Sequence, residues 1–266
     1  MAGDKQADGG QADGTVGKAL DVLDMVARHG QPVRFSELLD TAPYPKATLY
    51  RFLQTLTNQG MLSYDSDRGT YTMGMRLVRL AHAAWAQSSL APIARPFITD
   101  LARHTGETVH LAQMDQGQVL YVDKCNAAKP VEMFSQAGKV GPAYCTGVGK
   151  AMLAFMSDSA VEAALLRQSF HRFTEQTLDT PDRLRAELAA IHARGYAFDR
   201  EEHEPGIICC AAPILTRAGR VLGALSVTST TARTSLEALE AEAGQVMACA
   251  ARIAAEAENW RFPEQG

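Results

Sequence analysis

The 266-residue sequence predicts an α+β protein with a helical N-terminal part and a C-terminal part that mixes helices and strands. Three observations support this prediction. Apolar residues recur with helical spacing through the first 60 residues, and two short β-type runs follow around a tight turn. After Gly106 the apolar period changes to two. Because helices and strands then follow in mixed order, we expect an antiparallel sheet covered by helices.

The composition excludes several classes of protein. Hydrophobic residues make up 46% of the chain and charged residues 21%, which suffices to build buried cores. No apolar run approaches the roughly 20 residues of a transmembrane helix, and the polar N-terminus lacks the apolar segment of a signal peptide. The five cysteines form no CxxC pair and suit neither a disulfide framework nor a zinc finger. We expect a cytoplasmic protein without a membrane partner.

The charge is unevenly distributed along the chain. The whole sequence has a formal net charge of −4, but residues 16–88 carry eight basic and six acidic side chains. A binding patch depends on where charges lie rather than on their sum, so DNA binding by the N-terminal part stays open.

The first 74 residues predict three helices and a hairpin. Residues 1–14 are rich in Gly, Gln and Asp, which is typical of a disordered arm. Helices are predicted at Gly17–Gly30, Ser36–Ala42 and Pro45–Gln59, with Pro45 at the first helical position. The runs MLSYD and TYTM then flank the turn SDRG as two short strands.

The same spacing rules predict the helices and strands of the rest of the chain. Met75–Ala86 has an amphipathic pattern and is predicted to be a connecting helix. Further helices are predicted at Leu90–Thr105, Ala160–Leu166, Pro181–Arg194 and Ser235–Glu258, and strands at Thr108–Met114, Val119–Val122, Tyr196–Asp199, Ile207–Leu215 and Val221–Thr228.

The third helix and the hairpin suggest a nucleic-acid interface. The inward residues of the third helix are Leu49, Phe52, Leu53 and Leu56. Its outward residues are Lys46, Ala47, Thr48, Tyr50, Arg51 and Gln54. These combine phosphate donors with a possible base reader, Arg51, and Arg68 lies at the tip of the hairpin. The alternative is a three-helix packing module with a solvated face.

The segment CTGVGKA at 145–151 suggests a second site. Gly147 and Gly149 would let the backbone approach a ligand, although Ala151 stands where a Walker loop needs Ser or Thr. Glycines that serve only to shape a packed turn are an equal alternative. Ser226 and Thr228 would share one face of a strand, either in a polar pocket or on a solvated surface.

Catalysis and metal binding are weaker alternatives. Cys145 near a helix start could act with His110 as a cysteine-dependent enzyme, but buried cysteines are more often simply small apolar residues. Cys209 and Cys210 with His203 could hold a soft metal, yet neighbouring strand residues point to opposite sides. We therefore expect neither an enzyme nor a metal or cofactor.

The sequence resembles the IclR-type bacterial transcription regulators. The similarity runs through KALDVLDMVARHG (18–30), PKATLYRFLQTLTNQG (45–60) and GTYTMGMRLVRLA (69–81) in the N-terminal half. It continues through LARHTGETVHLAQMDQGQVLYVDK (101–124), GVGKAMLAF (147–155), RGYAFDREEHEPGIICCAAPI (194–214) and GRVLGALSVTS (219–229). The resemblance covers about 245 residues, in order and at family-like spacing.

The resemblance implies an architecture and a set of site residues. It implies a winged helix-turn-helix domain at 15–74, a connecting helix at 75–88 and a GAF-like effector domain at 89–262. The recognition helix would be Pro45–Gln59 and the wing Asp65–Tyr71. The DNA-binding residues would be Lys46, Ala47, Thr48, Tyr50, Arg51 and Arg68. The effector residues would be Met133, Cys145, Gly147, Val148, Asp199, Cys209, Ser226 and Thr228.

The resemblance also implies a function. We expect a ligand-responsive regulator, with repression favoured, of a catabolic or metabolic operon. It would bind a palindromic operator in double-stranded DNA as a homodimer or a dimer of dimers, and sense a small carboxylate or carbonyl metabolite. Besides the cysteine enzyme, a metabolite-binding module without DNA binding is the alternative.

Overall fold

The computed structural model describes residues 14–88, 90–127 and 133–258. The chain divides into two compact units, the first running to Trp85 and the second beginning at Ala86. Apart from Gly14, the predicted N-terminal arm lies outside the described residues.

The N-terminal unit contains helices and a small antiparallel sheet. Its elements are α1 (Thr15–Arg28), β1 (Val33–Arg34), α2 (Phe35–Thr41), α3 (Lys46–Asn58), β2 (Leu62–Asp65), β3 (Thr70–Met73) and the first part of α4 (Met75–Ser88). The two-residue strand β1 was not predicted, and it pairs with β3 to give the sheet order β1-β3-β2. Pro45 precedes α3 as its N-cap rather than occupying its first turn.

The core of this unit forms where the helical period requires it. All four predicted inward residues of α3, Leu49, Phe52, Leu53 and Leu56, are buried. They pack with Val22 of α1 and other apolar residues in one cluster. The opposite face of α3 is consequently free to carry polar side chains.

The C-terminal unit is built on a six-stranded sheet. Its elements are α5 (Ala91–Thr105), β4 (Thr108–Asp115), β5 (Gln118–Cys125), β6 (Val140–Gly141), α6 (Gly147–Leu153), α7 (Asp158–Leu165), α8 (Pro181–Arg194), β7 (Ala197–Arg200), β8 (Ile207–Leu215), β9 (Val221–Thr230), α9 (Leu236–Ala241) and α10 (Ala243–Ala257). The strand order is β6-β5-β4-β9-β8-β7, and every pairing is antiparallel. The α+β class with an antiparallel sheet is thereby confirmed.

Helices cover both faces of this sheet. One face packs with α5 and α10 in a large apolar cluster that contains Val227. The other face packs with α6 and α8 in a second cluster that contains Ala224. Strands buried on both sides explain why β8 and β9 read as nearly continuous apolar runs.

One sequence expectation in the C-terminal unit needs correction, and one short strand was missed. The single helix predicted at Ser235–Glu258 is interrupted at Glu242, which separates α9 from α10. Gly244 follows the break, and glycine is a weak helix former because of its backbone entropy. The short strand β6 at the sheet edge was not predicted. Within the described ranges, no helix is long and apolar enough to cross a bilayer.

A glycine at the end of the wing offers a test of packing in the N-terminal unit. A Cβ at Gly74 would lie 2.1 Å from the carbonyl oxygen of Gly60, which is backbone and cannot move aside. We expect Gly74→Ala to lower the free energy of unfolding by about 2 kcal/mol or more. Gly244→Ala is the control, because the added Cβ would meet nothing within 4 Å. This substitution should stabilise helix α10 by about 0.5–1 kcal/mol, because alanine is a better helix former than glycine. Calorimetry of the full chain measures both, and unchanged unfolding of Gly74→Ala would contradict the packing.

Candidate functional site

The outward face of α3 is a polar and cationic surface. Lys46, Ala47, Tyr50 and Arg51 are exposed, and Thr48 is half-buried. None of these predicted contact residues lies in the core, so all of them are accessible to a partner. The face therefore has the amphipathic division that a helix needs to bind in a DNA groove.

The hairpin between β2 and β3 projects a further cation. Asp65 Oδ1 accepts hydrogen bonds from the N–H groups of Asp67 and Arg68 at 2.9 and 3.1 Å, which tightens the turn. Gly69 completes it with a φ of +66°, a conformation that favours glycine. The side chain of Arg68 is 77% exposed at the tip.

An aromatic groove joins the α3 face to the hairpin, and the sequence analysis did not predict it. Its walls are Phe35, Lys46, Ala47, Tyr50, Tyr64, Gly69 and Tyr71. The rings of Tyr64 and Tyr71 are 4.8 Å apart, and those of Phe35 and Tyr50 are 6.2 Å apart. The alternation of side chains along the two predicted strands could have indicated that Tyr64 and Tyr71 lie on one face, where they are cross-strand partners.

A polar cavity lies in the C-terminal unit, beside the sheet. Its lining residues are His110, Tyr121, Phe134, Ser135, Thr146, Gly147, Val148, Asp199, His203, Glu204, Ile207, Cys209, Ser226 and Thr228. The register explains part of this set: Asp199 pairs with Cys209, which pairs with Thr228 on the next strand. Ser226 and Thr228 share the cavity face, while Val227 packs into the opposite core.

The cavity contains the majority of the predicted effector residues. Gly147, Val148, Asp199, Cys209, Ser226 and Thr228 line it. Met133 and Cys145 are both buried but do not line it, so the structure does not bring them to this cavity. Among the lining residues that sequence reasoning did not assign to the effector site is His110, which only the strand register reveals, because it lies opposite Ser226.

The glycines at the start of α6 serve close packing. A Cβ on Gly147 would lie 2.4 Å from Cys209 Sγ, and one on Gly149 would lie 2.4 Å from the carbonyl oxygen of Ala143. The hydroxyl of Thr146 donates to the carbonyl oxygen of Pro142 at 2.8 Å rather than capping the helix. The packing role expected as an alternative therefore applies to both glycines, and Gly147 also borders the cavity.

A buried charge cluster borders the cavity. The Nζ of Lys150 donates to Oε1 of Glu202, and both side chains are almost fully buried. Asp199 Oδ1 accepts a hydrogen bond from the Glu202 N–H at 2.8 Å. Burial, followed by repulsion from the Glu202 carboxylate, raises the pKa of Asp199 to about 8, and Lys150 only partly offsets this. The Asp199 carboxyl is therefore protonated at neutral pH and can donate a hydrogen bond.

His110 is also neutral, because burial disfavours its charged form as it does that of Asp199, although the pKa moves in the opposite direction. Burial, with a smaller contribution from Lys124, lowers the pKa of His110 to about 3. Its Nε2 lies 2.8 Å from Ser135 Oγ and its Nδ1 lies 3.1 Å from Thr228 Oγ1. Asp199 and His110 are both uncharged and can take part in recognition by hydrogen bonding, beside the Glu204 carboxylate on the same wall.

The geometry does not favour the catalytic or metal alternatives. Burial raises the pKa of the Cys145 thiol, whereas a nucleophilic cysteine needs a lowered one. His110 makes its hydrogen bonds to Ser135 and Thr228. Within residues 14–88, 90–127 and 133–258, no group of three or more His, Cys, Asp or Glu side chains could hold a metal ion.

Comparison with known proteins gives a consistent result over both units. The family model "IclR helix-turn-helix domain" matches residues 15–66, and "Bacterial transcriptional regulator IclR C-terminal" matches residues 82–255. The chain is 29% identical to the HTH-type transcriptional regulator KdgR of Escherichia coli over 262 residues, which cover 98% of this chain and 97% of that one. It is 30% identical to the transcriptional repressor IclR of the same organism over 218 residues, 81% and 80% of the two chains.

A solved structure shows the same architecture. The crystal structure of Thermotoga maritima IclR superposes with a TM-score of 0.73 at 27% sequence identity. The match covers 91% of this chain and 98% of that one.

The protonated carboxyl of Asp199 predicts a pH dependence of stability. The pKa is about 8 in the folded protein and about 4 in an unfolded chain. The folded state therefore binds more protons between these values, so this group makes stability fall as pH rises from about 4 to about 8 and contributes no further change above that. The free energy of unfolding of Asp199→Asn, measured with urea, should fall less steeply as pH rises over this window. Parallel curves for the two proteins would contradict a raised pKa.

Proposed function

Because this chain belongs to the IclR family of bacterial transcriptional regulators, we propose that it represses a catabolic or metabolic operon under the control of a small carboxylate or carbonyl metabolite. The chain is a ligand-responsive, DNA-binding regulator and not an enzyme. One relative, the transcriptional repressor IclR of Escherichia coli, is a repressor by name, which supports repression here. A regulator of an operon acts in the cytoplasm, where bacterial DNA lies.

The observation that carries the DNA-binding proposal is the exposed face of α3 beside an exposed Arg68. In the proposal, α3 enters the major groove, with Arg51 directed at base edges and Lys46 at a phosphate. Arg68 on the wing adds a phosphate or minor-groove contact. We assign the winged helix-turn-helix domain to residues 15–74, the connecting helix to 75–88 and the effector domain to 89–262.

Exposed apolar side chains on two helices of the N-terminal unit support dimerisation. Val16 and Met75 are 75% exposed, Val78 is 59% exposed and Leu20 is 50% exposed, on helices α1 and α4. Exposed apolar side chains in such number favour burial against a second copy. A two-fold dimer presents two recognition helices, so the operator would be palindromic with half-sites about 10 bp apart or a multiple of that.

The cavity supports a small effector recognised through hydrogen bonds. Among the described residues that line it, none is lysine or arginine. The protonated Asp199 and the Ser226–Thr228 hydroxyl pair are among the groups available to an effector oxygen. The space open to a water-sized molecule is about 30 Å³. That volume holds about one or two water molecules, so a larger effector requires the lining to move.

Footprinting of the full-length protein on genomic DNA tests the proposal. We expect a protected site with two symmetric halves, and release of that site by a carboxylate or carbonyl metabolite in a screen of small metabolites. A protein that protects no duplex at low ionic strength would refute DNA binding. Protection of a single asymmetric half would refute the two-fold arrangement.

The role of Arg51 predicts a change in specificity. Arg51→Ala should lower discrimination between operator and unrelated duplex by about 5- to 150-fold, the range for one lost base contact. Lys46→Gln is the matched control, since loss of a phosphate contact should weaken binding to all sequences and reduce the salt slope by about 1. Fluorescence anisotropy at several salt concentrations separates the two. Undiminished discrimination in Arg51→Ala would show that α3 does not read bases there.

The position of Gly147 predicts a separation of effector response from DNA binding. Gly147→Val would force side-chain atoms against Cys209 Sγ and into the cavity. We expect the metabolite response to be lost while operator affinity stays within about twofold of the original. Ser226→Ala, which removes a hydroxyl without adding bulk, should weaken the response in the same assay. A full response in both variants would place the effector elsewhere.

A further inference from the structure

Four side chains around the cavity form a continuous chain of hydrogen bonds. Ser135 Oγ lies 2.8 Å from His110 Nε2, His110 Nδ1 lies 3.1 Å from Thr228 Oγ1, and Thr228 Oγ1 lies 3.1 Å from Ser226 Oγ. All four residues are buried and line the cavity. One end of the chain lies in the loop before β6 and the other lies on strand β9. The imidazole ring therefore connects two separate parts of the cavity wall.

The neutral ring makes this chain directional. A neutral imidazole has one N–H donor and one bare acceptor nitrogen, whereas a charged ring would donate from both. Burial holds His110 in the neutral form, as its lowered pKa indicates. Each hydroxyl has a single proton to donate. The proton on one ring nitrogen consequently decides whether Thr228 and Ser135 each donate to the ring or accept from it.

Two of the arrangements that satisfy the chain differ in whether Ser226 has a proton to donate to a ligand. In the first, Nδ1–H donates to Thr228, Thr228 donates to Ser226, and the Ser226 O–H is left to donate to a ligand, while Ser135 donates to Nε2. In the second, Nε2–H donates to Ser135, Ser226 donates to Thr228, and Thr228 donates to Nδ1. Ser226 then offers only lone pairs.

We propose that His110 is a positioning residue that selects an effector with an acceptor oxygen and transmits its presence to Ser135. The proposal rests on the proposed effector function of the cavity. A carboxylate or carbonyl oxygen beside Ser226 stabilises the first arrangement, and the Ser135 hydroxyl must then donate to the ring. The neighbouring Asp199 carboxyl and Tyr121 phenol retain their protons and can donate to the same oxygen, whereas the ionised Glu204 carboxylate of the wall cannot.

Two substitutions test the connection without any ligand. In full-length protein labelled with ¹⁵N-histidine, the His110 signals are those missing from His110→Asn, and their shifts report which nitrogen carries the proton. Thr228→Val leaves Nε2–H donating to Ser135, and Ser135→Ala leaves Nδ1–H donating to Thr228. Because each variant removes one hydrogen bond, we expect tautomer ratios that differ by about tenfold or more, in opposite directions. The same tautomer in both variants would overturn the proposal.

Two matched probes test the ligand class. Acetate offers acceptor oxygens and ethylammonium offers donors on a two-carbon frame of similar size. Acetate should raise the Nδ1–H fraction of His110 in the original protein and leave it unchanged in Thr228→Val, and ethylammonium should not raise it. An unchanged ratio with saturating acetate, or an equal effect of ethylammonium, would overturn the assignment. These measurements use no DNA, so failure to bind an operator would count against the proposed function and leave their result valid.

Discussion

The C-terminal unit depends on the burial of one positive charge among carboxyl groups. Lys150 and Glu202 neutralise each other in the interior, and removal of either partner from such a pair typically costs about 3–5 kcal/mol. Asp199 is close to the same pair but has no cation of its own, so it keeps its proton. The Lys150–Glu202 pair and Asp199 therefore add no net charge to the cavity wall, on which the Glu204 carboxylate, its pKa lowered by a hydrogen bond from His203, is the ionised group. Hydrogen-bond donors, rather than a cluster of arginines or lysines, are what this wall offers a small acid.

The strand alternation explains how this cluster can exist inside an apolar domain. Along β9, Ser226 and Thr228 face the cavity, while Val227 faces the core formed with α5 and α10. The same sheet therefore carries polar groups on one face and supports a continuous apolar core on the other. A shift of one residue in the register of β9 would exchange these faces, so the apolar core that stabilises the sheet also fixes the polar set.

Local periodicity predicted most of the elements, because helical and strand spacing is a property of neighbouring residues. It identified the buried face of α3 and the shared face of Ser226 and Thr228. It could not identify partners distant in sequence, such as His110 with Thr228, which are 118 residues apart. It also did not find the break at Glu242, where the apolar pattern continues across a change of helix. Register and tertiary packing decide such features, and neither is encoded in the spacing of nearby residues.

An effector can control DNA binding only if it binds more tightly to one of two states of the protein. Couplings between sites are typically about 1–3 kcal/mol, which corresponds to one to three hydrogen bonds made in one state and lost in the other. Hydrogen bonds between uncharged groups such as His110, Thr228 and Ser226 suit this requirement, because they can be exchanged without exposing a buried charge. Ser135 belongs to the loop before β6 and Ser226 to the sheet, so a small displacement of that loop would break the chain through His110. The free energy of the hydrogen bonds made by one effector oxygen is therefore comparable to the free-energy difference between two such states.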